Sequence, residues 1–92
     1  MTSDQKLDAI LDALERGRQR ATYGAVASRV NRPQRFLMRG RPCDHRHSWI
    51  VSKATGLPTG YGPHDMHPDL LLRPEVLSTS QQLEDWLAHG RS

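Results

Sequence analysis

The sequence predicts an α+β fold, mostly helical, of the winged helix-turn-helix type: three helices, a β-hairpin wing and a C-terminal helix. Three observations lead there. Apolar residues recur at helical spacing behind a capping residue near the start of the chain. Two short helical stretches then flank a break at Asn31, in the proportions of a helix-turn-helix. The run Ser48-Trp49-Ile50-Val51-Ser52 is rich in β-formers and is followed by turn residues, as in a hairpin.

In the first element Leu7, Ile10, Leu11 and Leu14 fall at i, i+3, i+4 and i+7 and form one apolar stripe. Thr2 with Gln5 makes a capping box, acids crowd the first turns, and Gly17 supplies a stop. Thr22 caps a second, shorter helix with Tyr23, Val26, Ala27 and Val30 on its buried side, and Asn31 interrupts it. Pro33 suits the first turn of a third helix, which runs through Phe36 and Leu37 to Gly40. There Arg32, Arg35 and Arg39 are spaced i, i+3 and i+7, so they share a face opposite Phe36 and Leu37. After an irregular stretch at 41–47, the β-rich run turns at Ala54-Thr55-Gly56, and 57–61 returns as its partner. Pro58 confines that return to an edge or to incomplete pairing. Thr79 with Gln82 opens the last helix, which buries Leu83, Trp86 and Leu87 before Gly90.

A chain of 92 residues makes one domain, 1–92, with a winged-helix-like core at 7–62 and an extension at 63–92 that carries the last helix. Hydrophobic content is 36%, and no run approaches the ~18 apolar residues of a membrane span. The acidic, amphipathic start is unlike a secretory signal. One cysteine excludes an intramolecular disulfide, which points to a reducing, cytoplasmic location.

Charge is the feature that points to function. Ten of the 13 Lys and Arg residues lie between Arg16 and Lys53, with one acid, Asp44, among them. The formal net charge of +3 therefore hides a segment near +9 joined to flanks near −6. Such a field attracts a polyanion, and nucleic acid is the commonest. Arg supplies nine of those ten cations, and its planar fork matches phosphate oxygens and base edges. The plainer alternative is a solvated surface with the acids folded back beside it.

Thr22-Tyr23-Gly24-Ala25-Val26-Ala27, then Pro33, Gly40-Arg41, Gly56 and Gly60-Tyr61 stand in an order and spacing that carry a resemblance. Over about residues 7–62 the chain resembles the C-terminal DNA-binding domain of alkylguanine DNA alkyltransferases and the non-enzymatic alkyltransferase-like proteins. The resemblance implies a winged helix-turn-helix that binds the minor groove and flips a damaged guanine, with Tyr23 contacting the target phosphate. Where the family carries Pro-Cys-His-Arg, this chain has His47-Ser48-Trp49-Ile50, so the acceptor cysteine motif is absent. Leu37 falls at the place of the family's flipping arginine.

The reading is a non-enzymatic protein that binds duplex DNA, damaged duplex included, through a basic third helix and wing. Arg32, Arg35 and Arg39 present that helix to a groove, Tyr23, Arg41 and Lys53 hold phosphates, and Arg46 with its flanking histidines extends the basic surface. Thr55 and Thr59 sit near the wing tip. Five to seven basic residues on one face give a log–log salt slope of roughly −4 to −6, at about −0.9 per phosphate. Cys43, His45, His47, His64 and His67 contain a zinc-like donor set, but Cys-x-His-x-His lacks the usual knuckle spacing, so no metal or other cofactor is expected. Two alternatives stand beside this reading: a protein-interaction module that docks an acidic partner, and an altered alkyltransferase using Cys43.

Overall fold

Helix α1, Ser3–Gly17, opens with the capping box its sequence encodes: Thr2 Oγ1 accepts the Gln5 amide at 3.2 Å and Gln5 Oε1 accepts the Thr2 amide at 2.9 Å. The computed structural model describes residues 2–38, 40–41, 43–72 and 74–89. Along α1 the stripe of Leu7, Ile10, Leu11 and Leu14 is buried. The end of the helix is built differently from the expected glycine stop. The left-handed residue is Arg18, at φ 52° and ψ 43°, and its amide bonds back to Glu15 and Leu14. Gly17 is required for space: a Cβ there would stand 2.5 Å from Cζ2 of Trp86.

Strand β1, Arg20–Thr22, follows at once and is wholly buried. Thr22 then caps helix α2, Tyr23–Val30, by accepting the Ala25 amide at 3.1 Å. Asn31 ends α2 in the left-handed region, at φ 57°, a conformation Asn tolerates better than most residues. The third helix shrinks to a 3-10 turn, Gln34–Phe36. Leu37, fully buried, is the one strong anchor of this stretch among the described residues, and Phe36 is exposed. One anchor gives a longer helix no apolar face to hold it, and isolated turns are costly to nucleate.

The β-rich run also folds differently from a hairpin strand. Arg46–Trp49 forms a 3-10 turn, and only Ile50–Val51 is extended, as strand β2. β2 pairs with β1 in parallel, Ala21 opposite Ile50 and Thr22 opposite Val51. The 52–57 turn does close, with the Ser52 amide donating to the Leu57 carbonyl at 2.9 Å and the Gly56 amide to the Ser52 carbonyl at 2.8 Å. Beyond it, 57–61 adds no antiparallel strand among the described residues. Pro58 has no amide to donate, and β1 already occupies one edge of β2.

Strand β3, Val76–Leu77, completes the sheet on the other side of β1, again in parallel, to give the order β2-β1-β3. Thr79 caps helix α3, Ser80–His89, accepting the Gln82 amide at 3.1 Å. α3 buries Leu83 and half-buries Trp86 and Leu87. The expected stop at Gly90 lies outside the described residues. The result is an α+β fold of three α-helices and a parallel three-stranded sheet among the described residues. Leu7, Leu11, Val26, Leu37, Trp49 and Leu83 lie in its core.

Two buried polar side chains tie the later chain to β1. Arg20 donates to the carbonyls of Gly56 at 2.8 Å and Pro74 at 3.3 Å, and Gln19 donates to that of Glu75 at 2.8 Å. Burial lowers the pKa of Arg20 from its ordinary value, because a charge is held among backbone carbonyls with little water. Gly56, at φ 72°, brings the turn so close that a Cβ there would lie 3.0 Å from an Arg20 nitrogen.

Candidate nucleic-acid interface

The basic segment folds along α1, and much of its charge is spent there. Asp4, Asp8 and Asp12 are spaced one helical turn apart, so they form a stripe beside the apolar one. Arg32 meets Asp4 at 2.9 Å, Arg41 meets Asp8 at 2.8 Å and Asp4 at 3.6 Å, and Arg46 meets Asp12 at 2.9 Å and Asp8 at 3.7 Å. The Arg41 hydrogen bond holds the Asp8 carboxyl below the ordinary carboxylate value, with help from the charges of Arg41, Arg46 and His47 and against partial desolvation. Three of the seven residues assigned to nucleic acid from the sequence are therefore neutralised within the protein.

A second acid continues the network. Burial tends to raise the pKa of Asp44, but hydrogen bonds from the His47 ring at 2.6 Å and amide at 3.0 Å outweigh it and leave the carboxyl below its ordinary value. His47 is buried, and an Arg41 nitrogen lies 3.4 Å from its Nε2. Ser48, at the place of the family's acceptor cysteine, is fully buried. Its hydroxyl donates to the His45 carbonyl at 2.7 Å and accepts the His67 amide at 3.1 Å. Trp49 is likewise a core residue, packed on the His67 ring at 4.9 Å. Among the described residues no group of three or more His, Cys, Asp or Glu side chains has the geometry to hold a metal.

Of the other sequence-assigned residues, Arg35 and Lys53 are exposed and Tyr23 is half-buried, away from the aspartate stripe. Tyr23, at the start of α2, accepts the Thr59 amide on its hydroxyl at 3.0 Å, which joins α2 to the 57–61 segment. That bond leaves the hydroxyl proton available to donate. Tyr23, Gln34, Arg35, Phe36, Met38 and Thr59 line an open cleft of about 750 Å³. On its wall the guanidinium of Arg35 stands over the ring of Phe36, 4.8 Å from the centroid. Lys53 is exposed on the 52–57 turn, and Arg39 lies outside the described residues.

Arg32 and Arg35 are thus separated despite their spacing: the short 3-10 turn sends Arg32 back to α1 and Arg35 outward. Sequence reasoning missed Gln34, Phe36 and Met38 as cleft residues because a helix would have turned Phe36 into the core. It also missed the pairing of Arg32, Arg41 and Arg46, although the four-residue spacing of Asp4, Asp8 and Asp12 was there to be read. Among the described residues no helix is long and apolar enough to cross a membrane. Compared with protein-family models, curated proteins and solved structures, the chain matches none.

Proposed function

We propose that the chain is a non-enzymatic DNA-binding protein, similar in its Thr22–Ala27 segment to the alkyltransferase-like proteins, which grips nucleic acid at the Tyr23–Arg35–Phe36 cleft. The observation that carries this reading is the Arg35–Phe36 pair beside the Tyr23 hydroxyl, at the mouth of an open and largely apolar concavity. A flat exposed ring offers a stacking surface for a base, while the guanidinium and hydroxyl suit a phosphate. Lys53 on the neighbouring turn and Arg39 add backbone contacts. In this reading Arg32, Arg41 and Arg46 hold the scaffold, and their contribution to affinity is small.

The buried Ser48 supports a binding role over alkyl transfer, since its hydroxyl is bonded to backbone groups and not to a base, and it is shut off from solvent. The test is a titration of a labelled duplex by fluorescence anisotropy. Arg35→Ala should weaken binding by about 1–3 kcal/mol if the guanidinium reaches a base edge or a buried phosphate. Gln81→Ala, on the exposed face of α3, serves as the control and should leave it unchanged. No binding at about 50 mM salt, the low end for such titrations, would rule the reading out.

A further inference from the structure

A different face of the molecule carries three more cations whose side chains have no partner among the described residues. The side chains of Lys6, Arg16 and Arg29 make no hydrogen bond or ion pair among the described residues, in contrast to the arginines gathered on the aspartate stripe. All three line one cleft of about 380 Å³, whose floor is Ala9, Ile10, Ala13 and Leu87. Among the described residues the single acid on its wall is Asp12, held by Arg46 at 2.9 Å. Arg16 and Arg29 stand in the last turns of α1 and α2, where the helix dipole favours a cation, but their donor forks remain unspent. Lys6 is near the opposite end of α1 and has no such reason to be there.

We propose that this cleft docks an acidic amphipathic helix of a partner protein. Three observations select that occupant. Among the described residues three of the four charged side chains lining the cleft are cations and the fourth, Asp12, is paired with Arg46, so the rim favours carboxylates. The floor is apolar and, at Ala9 and Ala13 one turn apart, low enough for a second helix to approach closely. Lys6 and Arg16 are ten positions apart on α1, about 15 Å at 1.5 Å per residue, which matches nearly three turns of a helix laid alongside. The partner therefore presents Leu- or Met-sized residues along one face and carboxylates on its flanks. A phosphate backbone would use the rim but has no need of the floor. Among the described residues this cleft shares no lining residue with the one assigned to DNA.

The probe is a fluorescein-labelled, helix-forming peptide about five turns long, with a leucine stripe flanked by glutamates, titrated against the whole chain. Its analogue with lysine in place of every glutamate is the comparison. The glutamate peptide should saturate and the lysine peptide should not. Arg16→Glu/Arg29→Glu should weaken the glutamate peptide about tenfold or more, since two rim charges then repel it. Ala9→Trp, at an exposed position, should block it while circular dichroism stays that of the parent. No saturation, equal binding of the two peptides, or unchanged binding by both variants would overturn the proposal. So would a loss of duplex affinity in Arg16→Glu/Arg29→Glu as large as the loss of peptide affinity, which would make the cleft a nucleic-acid surface. A parent chain that binds the peptide but no duplex would overturn the DNA reading and leave this one standing.

Discussion

Gly17 is a position where helix propensity and side-chain fit oppose each other. Alanine would favour the helix by about 1 kcal/mol, but its Cβ would meet the Trp86 ring, and overpacking of a tight contact costs about 1–3 kcal/mol. The clash wins, so Gly17→Ala should lower the melting temperature. Trp86→Leu in the same chain should recover part of that loss, and two independent losses would show that the residues are not coupled. Asp8 and Asp44 give a second test at this scale. Both carboxyls have depressed values in the folded chain, so the unfolded chain takes up protons first as the pH falls. The stability they supply is complete above the ordinary carboxylate value of about 3.9 and drains away as the pH falls through their folded values. Urea midpoints should therefore fall between neutral pH and the region below that value, and the fall should be smaller in Asp44→Asn, whose amide does not titrate there.

At the scale of elements, three of the four expected helices are present, and of the strands only Ile50–Val51 falls within an expected one. The capping box of α1, the Thr22 cap, the Asn31 break and the Thr79 cap are local devices, decided by residues within a few positions of one another. β2 and β3 are two residues each, too short to show alternation, and they are extended because β1 pairs with them from far away in sequence. The candidate site shows the same division. Arg35 and Tyr23 were visible as basic and aromatic residues near a turn, whereas Phe36 was assigned to the core because a whole helix was assumed. The fate of Arg32, Arg41 and Arg46 depended on where α1 came to rest. Its aspartate stripe makes a prediction: Asp8→Asn should loosen Arg41 and Arg46, raise duplex affinity severalfold and steepen the salt slope by about one unit. An unchanged slope would mean that the two arginines lie too far from the duplex to use their released charge.

Across the whole molecule, the internal pairing of charge changes the expected response to salt. With Arg32, Arg41 and Arg46 engaged, Arg35 and Lys53 are the assigned cations left for phosphates among the described residues, and a slope of about −2 follows at about −0.9 per phosphate. A measured slope of about −4 to −6 would show that the arginines leave α1 when the duplex binds.

The sheet, finally, imposes an order in time. Its middle strand is the first to be synthesised, and each flanking strand arrives only after a long intervening stretch has been added. Until Ile50–Val51 and then Val76–Leu77 emerge, the amides and carbonyls of 20–22 have no ladder to join and Gly17 has no Trp86 against it. A growing chain therefore cannot complete its sheet before Val76–Leu77 has emerged, and cooperative folding waits on that segment. A chain ended at residue 72 should retain much of its helical circular dichroism yet melt without a cooperative transition, because the closing strand and the helix behind it are what turn local order into a single folded state.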